Sequence, residues 1–191
     1  LVFAKFSIVR ARVRFSEAAV IAPMNGQPTL MLRVGNERDS RVVDAYIRLM
    51  LSRRELTQEG VEMWRVYDLQ LERDRAPALA RAWLVMHRIG PESPLYGCTA
   101  ESLSGSEAEL LIALGGTDET SGQSLHARQS YEDKLIRWNV RYADMLQRRA
   151  DGNFTMDLRR FDELVEVSTS APVLCNASGS RPADGPPRAT E

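Results

Sequence analysis

A mainly β domain of the β-sandwich kind is the fold this sequence predicts, and three observations carry it. Apolar residues recur with a period of two. The clearest case is Arg41 to Ser52, where Val43, Ala45, Ile47, Leu49 and Leu51 alternate with Asp44, Tyr46, Arg48, Met50 and Ser52. Such runs are short, and turn residues separate them at near-regular spacing. At 191 residues and 43% hydrophobic content, the chain can bury a full core as one domain.

The elements follow in chain order. Arg12 and Arg14 alternate with Val13 and Phe15, the pattern of a first strand with a solvated face. Ala18 to Ala22 and Thr29 to Val34 flank Asn25-Gly26, a hairpin signal inside a five-residue connection from Pro23 to Gln27. After the long strand, further strands are expected at Val61 to Val66, Leu69 to Arg73 and Leu79 to His87. Thr99 is a suitable N-cap for a short helix. Glu107 to Leu114 is ambiguous, because Glu, Ala and Leu favour helix while glycines bracket the segment. Gln123 to Tyr131 and Ile136 to Leu146 read as strands, and Asp151-Gly152 turns the chain into a last strand, Phe154 to Leu158. From about Ser168 onward Ser, Ala, Gly and Pro dominate, a composition expected to stay disordered.

Composition and spacing exclude several classes of function. A formal net charge of -1, with no aromatic-studded basic stripe, argues against nucleic-acid binding. Cys98 and Cys175 are too few and too far apart for a disulfide framework or a zinc site. They read as two free thiols in a reducing compartment. His87 and His126 lack metal-ligand spacing, and neither Ser121 nor Ser130 sits in a Gly-x-Ser-x-Gly elbow. Catalysis therefore has no support, and no metal is expected. No apolar run approaches the roughly 18 residues of a membrane span, and no signal peptide is present.

Leu114 to Gly122 reads as the end of an apolar run, paired glycines and a polar loop. Glycine permits positive φ and close backbone approach, so the loop suits a constriction made of backbone. It lacks the Gly-Lys-Ser/Thr ending of a phosphate cradle. Alone this segment is a weak signal. It stands, however, in fixed order with LMLRVGNERDSRVVDAYIR, SPLYG, HARQSY, RWNVRY and MDLRRF. This set resembles the cytoplasmic domain of inward-rectifier potassium channels, most closely the bacterial members, over about Phe3 to Phe161.

The resemblance implies an immunoglobulin-like β-sandwich with one or two short helices, and a strand at Glu107 to Leu114. It implies three parts: the end of an inner membrane helix and a linker over 1–10, the cytoplasmic domain over 11–167, and a tail over 168–191. It implies a homotetramer around a water-filled conduit, on the cytoplasmic side of the cell inner membrane. Potassium would be the permeant ion, without a cofactor. The chain opens on Leu1-Val2-Phe3-Ala4 rather than Met, so a fragment is expected. Two membrane helices, a pore helix and a selectivity filter would lie upstream.

Site roles follow from the same resemblance. Gly115, Gly116, Thr117, Asp118, Glu119, Thr120, Ser121 and Gly122 correspond to the gate loop at the top of the cytoplasmic pore. Asp44, in VVDA, and Arg48 correspond to pore-facing charged positions. Four-fold repetition would make Asp44 a ring of carboxylates that concentrates cations and takes magnesium or polyamines. The family's strong rectifiers carry an acid where Gly115 stands, and a further pore acid is replaced near Arg73 to Arg75, so block should be weak. Lys5, Arg10 and Arg12 correspond to contacts with an anionic, phosphoinositide-like lipid headgroup, although Ile8 and Val9 interrupt the family's Lys-Pro-Lys run. Arg128 matches a structural arginine of an intersubunit ion pair. His87 matches a structural histidine whose usual Asp is Gly90 here. Trp138 matches a packing tryptophan, with Asn139 where glycine is usual. The competing reading is a soluble β-sandwich module whose polar strand face binds a protein partner.

Overall fold

The structure, a computed structural model, describes residues 12–149 and 151–167. Along the chain run β1 (Val13–Phe15), β2 (Ala19–Met24), β3 (Gln27–Asn36), β4 (Val42–Leu56), β5 (Glu62–Asp68), β6 (Arg75–Leu79) and β7 (Ala82–Arg88). Helix α1 (Ala100–Gly105) precedes β8 (Glu109–Asp118) and β9 (Ser124–Glu132). Short strands complete the order: β10 (Ile136–Trp138), β11 (Val140–Tyr142), β12 (Leu146–Arg148), β13 (Phe154–Met156) and β14 (Leu164–Glu166). The residues expected at 1–10 and 168–191 lie outside those described.

Among the described residues two five-stranded sheets form a β-sandwich. In the first, β3 pairs with β1 and β2 along one edge and with β7 along the other, and β10 adds to β2 in parallel. In the second, β4 pairs with β5 and β6 on one edge and β8 on the other, and β9 closes the order beyond β8. Alternate residues meet between the sheets. Ile21, Leu30, Leu32, Val34, Trp83 and Val85 from the first pack against Ala45, Ile47, Leu49, Leu51, Leu110, Ile112 and Leu114 from the second. Each such aliphatic side chain contributes about 1.5–3 kcal/mol on burial, which is why the alternation was written into the sequence so clearly.

Several expected boundaries move, each for a physical reason. The first hairpin is tighter than five residues. Asn25 and Gly26 alone make the turn, at φ 52° and 77°, and pairing continues through Pro23 opposite Pro28 and Met24 opposite Gln27. Leu69 to Arg73 is no strand. Leu69 bonds the Leu49 carbonyl of the second sheet (2.8 Å) while Glu72 bonds Met86 of the first (2.9 Å), so the segment crosses between layers. The strand instead lies at Arg75–Leu79, where alanines and Pro77 hid it from propensity. The run Leu79 to His87 breaks at Ala80 and Arg81 because β6 and β7 belong to different sheets.

Glu107 to Leu114 resolves as strand from Glu109 onward, while Glu107 lies in the turn after α1 at φ 51°. Ladders with β4 and β9 on both sides outweigh its helical propensity, and the strand runs on to Asp118. Ile136 to Leu146 breaks at Asn139, whose φ is 58°, a conformation asparagine tolerates better than most residues, and again over residues 143–145, so that it holds β10, β11 and the start of β12. The last expected strand ends at Met156. Asp157 then accepts from the Arg159 amide and caps a 3-10 turn over Leu158–Arg160. Thr99 caps α1 as expected, through a reciprocal pair with Ser102, and Leu103 anchors the helix in the core. No helix among the described residues is long and apolar enough to cross a membrane.

A strap over the outer face of the first sheet gives β2 its second covered side. β11 and β14 pair there, and Tyr142, Leu164 and Val167 pack on Val20, Ala22 and Met31. One buried arginine fastens the strap. Arg33 donates to the carbonyls of Arg160 and Phe161 (both 3.0 Å) and of Ala143 (2.5 Å), with its guanidinium 4.6 Å from the Tyr142 ring centre. Arg14 adds an ion pair to Asp162 at 2.5 Å and lies over Phe161.

Candidate functional site

The candidate residues gather at one end of the second sheet, around a break in the β4–β8 ladder. Val43 faces Thr117, but Tyr46 faces Gly115, so Asp44 and Ala45 together oppose Gly116. This is a β-bulge, and Asp44 carries it at φ 50°. The bulge shifts the phase of the strand. Val42 is fully buried and Val43 only half-buried, whereas simple alternation placed Val43 on the apolar face. From Ala45 onward the expected alternation holds. Asp44 is exposed and makes no ion pair among the described residues. Arg48 is also exposed, and its guanidinium lies 3.0 Å from Asp68. Both members of that pair are open to solvent, so it contributes at most about 1 kcal/mol.

The paired glycines do different work from that expected. Neither has positive φ, and both lie inside β8 rather than in a loop. A β-carbon on Gly115 would stand 2.3 Å from Cζ of Tyr46, whose ring crosses the strand there. One on Gly116 would stand 2.5 Å from Cγ1 of Val42 and 3.1 Å from the Val43 carbonyl, within the bulge. Close approach, not flexibility, is the reason for glycine at these two positions. The expected loop over Gly115 to Gly122 therefore contracts to a turn over residues 119–123. Thr117 and Asp118 belong to the strand, and of the two-sided loop only Glu119, Thr120, Ser121 and Gly122 (φ 66°) remain, all exposed.

Asp118 holds this turn. It is buried, and its carboxylate accepts from the Ser40 hydroxyl, from the Thr120 amide (3.2 Å), and from the amide and hydroxyl of Ser121 (2.8 and 2.9 Å). Arg38 Nε stands 3.3 Å away. Ser40 above all, then Ser121, with a smaller contribution from Arg38, pulls the carboxyl from 3.8 to about 2. The folded value lies below the unfolded one, so this stabilisation is complete above about pH 4 and fades as pH falls toward 2. Asp118→Asn should accordingly lower the melting temperature at neutral pH, and the gap to wild type should close over that acid window. A gap constant between about pH 6 and pH 3 would show that the charge does not hold the turn.

The loop over residues 37–41 connects this turn to the N-terminal strand. Arg38 and Ser40 reach Asp118, the Arg41 carbonyl accepts from the Glu119 amide (3.0 Å), and the Glu37 amide donates to the carbonyl of Arg12 (3.0 Å). Asn36 braces the loop, bonding Ser40, Leu79 and the Arg38 amide. Arg12 is exposed; Lys5 and Arg10 lie outside the described residues.

The other candidates sit elsewhere. Arg128 is exposed on β9 opposite Ala113 and has no ion pair within the described chain. His87 is buried in the first sheet, with Nδ1 2.7 Å from the Gln70 carbonyl and Nε2 2.8 Å from Ser93 Oγ. Ser93 thus supplies a local partner where Gly90 cannot, and burial lowers the histidine's pKa below its ordinary value. Trp138 packs half-buried against the main core. Reading the sequence passed over the part played by Tyr46, Arg38, Ser40 and Arg33. The motif GNERDS was visible, but its partner Asp118 is 78 residues from Ser40.

Comparison with known proteins defines the class. The family described as the inward rectifier potassium channel C-terminal domain matches residues 13–181. The chain belongs to this family. Its relatives are potassium channels, which are not enzymes. Over 166 residues it is 38% identical to the inward rectifier potassium channel Kirbac3.1 of Paramagnetospirillum magnetotacticum, covering 87% of this chain and 56% of that protein. It is 34% identical over 160 residues to G protein-activated inward rectifier potassium channel 1 of Bos taurus, covering 81% of this chain and 32% of that one. With human ATP-sensitive inward rectifier potassium channel 8 the figures are 31% over 159 residues, 81% and 37%. The chain thus spans about half or less of the length of these relatives.

Proposed function

We propose that this domain is the cytoplasmic pore and gating part of a tetrameric inward-rectifier potassium channel in the bacterial inner membrane. The observation that carries the reading is the loop over residues 37–41. It touches Arg12, where a lipid contact would act, and Asp118, which holds the turn at the end of β8. Tension on the N-terminal strand has a short hydrogen-bonded route to that turn. In a tetramer the turns over residues 119–122 would form the constriction, with Asp44 of each protomer in the conduit wall. Lys5, Arg10 and Arg12 would meet anionic headgroups, at roughly 1 kcal/mol each. Arg128, exposed and without an ion pair among the described residues, would pair across the subunit boundary.

Asp44 would be the main carboxylate facing permeant cations, because it is exposed and without an ion pair among the described residues, whereas the neighbouring Asp68 carboxylate is paired with Arg48. One such ring concentrates potassium but holds magnesium or polyamines weakly. Rubidium flux through the full-length protein in liposomes tests the reading. Flux is expected to change with anionic lipid, to lose that response when Lys5, Arg10 and Arg12 are neutralised, and to show shallow spermine block. Steep micromolar block, abolished by Asp44→Ala, would overturn the weak-block expectation. A response of flux to anionic lipid that is unchanged after Lys5, Arg10 and Arg12 are neutralised would sink the headgroup contact.

A further inference from the structure

The hairpin of β12 and β13 presents an apolar face to solvent. Its two strands form a sheet of their own, and among the described residues no third strand joins them. Leu146 lies opposite Met156 and Arg148 opposite Phe154, so these four side chains share one face, with Gln147 and Thr155 on the other. Phe154 is 68% exposed and Leu146 is 51% exposed. Arg148 stands among these apolar residues and Arg149 follows it at the turn. Both are exposed and without an ion pair among the described residues. The hairpin's one carboxylate, Asp151, is folded back on its own turn, accepting from the Asn153 amide at 3.0 Å. At the root, Asp157 is engaged by Arg159 and Glu163 by Arg160.

The hairpin is rooted at the end of the domain where the chain arrives from residues 1–10. β11 runs from Asn139, whose amide bonds the Ile21 carbonyl, to Tyr142, whose hydroxyl bonds Ala18, and β12 follows in that direction. On the return, Arg160 and Phe161 are bonded by Arg33, and the Phe161 ring lies against Gly35. Gly35 pairs with Arg14, one step from the Val13–Asn36 pair that ends the ladder, and beyond it Glu37 bonds Arg12. An apolar face edged by arginines suits the headgroup region of an anionic bilayer, where apolar groups enter and guanidinium groups reach back to lipid phosphates. We propose that the β12–β13 hairpin is a second membrane contact of this domain, with Leu146 and Phe154 entering the surface of an anionic bilayer and Arg148 and Arg149 meeting its phosphates. This contact is separate from that of Lys5, Arg10 and Arg12. Where the bilayer lies rests on the proposed channel role; the chemistry of the face does not. Because Arg33 ties the strap to β3, a hairpin held at the membrane gives lipid a second hold on the sandwich.

The test is flotation of the 191-residue chain with vesicles, in a parent variant whose Lys5, Arg10 and Arg12 are changed to glutamine so that the first contact is silent. The parent is expected to float with phosphatidylglycerol-rich vesicles and not with phosphatidylcholine alone. Arg148→Gln with Arg149→Gln should weaken binding about 25-fold, or about fivefold for each arginine, whereas lysine at both positions should preserve it. Phe154→Ser should weaken binding about tenfold. Brominated lipid should quench Phe154→Trp beyond the quenching of the three native tryptophans. Absence of parent binding, or equal binding by the parent and the glutamine pair, overturns the contact. A change in oligomeric state with Phe154→Ser, vesicle binding being unaltered, also overturns it and gives the face to a second copy. The glutamine and lysine pairs leave the apolar residues in place, so they decide the matter even where Phe154→Ser disturbs the hairpin. Absence of rubidium flux from the wild-type full-length protein would instead sink the channel reading, with the vesicle results still deciding the contact.

Discussion

Arg33→Met is expected to cost the domain about 3 kcal/mol or more and to loosen the strap ahead of the sandwich. Hydrogen bonds from a charged donor each contribute about 1.5–3 kcal/mol, and Arg33 makes three of them to carbonyls of the strap. Methionine refills much of the volume but leaves those carbonyls without a donor. Arg33→Lys should rescue little, since one ammonium cannot span the fork of acceptors that the planar guanidinium reaches. The pattern of the loss is the sharper check. Deuterium exchange should rise over residues 140–167 while β4 and β8 stay protected, because the two-sheet core does not depend on the strap. A loss below about 1 kcal/mol, or exchange rising uniformly, would show that Arg33 does not fasten the strap.

Gly116→Ala should destabilise by about 1–3 kcal/mol, and Gly115→Ala by clearly less, although the two glycines are neighbours. At Gly116 the added carbon meets Val42 Cγ1 at 2.5 Å, the Val43 carbonyl at 3.1 Å and Ala45 Cα at 3.3 Å. Val42 is fully buried and two of those atoms are backbone, so the bulge itself must move. At Gly115 the clash is with the Tyr46 ring, at 2.3 to 2.6 Å. Tyr46 is 39% exposed, and its ring can swing toward solvent. Denaturant melts in the presence and absence of Tyr46→Ala separate the cases. The cost of Gly115→Ala should disappear in that background, while the cost of Gly116→Ala should persist. Equal costs that Tyr46→Ala leaves alone would mean that both glycines serve flexibility after all. Because the bulge presents Asp44 and the adjoining turn, Gly116→Ala should also disturb flux more than Gly115→Ala.

Much of the fold was legible because burial repeats every two residues and leaves its mark locally. Ile47, Leu49 and Leu51 announce β4, and Thr99 announces α1, from their immediate neighbours alone. Motif order carried the family, and the match over residues 13–181 agrees with it. The limits of the strands were less legible. Leu69 and Leu71 alternate like a strand, but they straddle two layers, and no local pattern says which sheet an amide will bond. Pro77 and the alanines around it conceal β6, which forms because the edge of β4 is there to receive it.

The site divides in the same way. Asp44 as an exposed carboxylate, and a turn near Gly122, follow from residue type and alternation. The bulge at Asp44 does not, since it exists only as a mismatch between two strands some 70 residues apart in sequence. Nor do the roles of the paired glycines, which Tyr46 and Val42 decide by where they lie across the ladder. Asp118 read as one more polar residue of a loop until Ser40 and Arg38 arrived beside it. The sequence by itself determined the strand period, the β class, the helix cap and the family. Tertiary structure alone decided which strands meet, where β4 slips by one residue, and which charges are buried. Periodicity and capping are interactions between neighbours in the chain. Registers, buried carboxylates and close contacts arise between residues that only folding brings together.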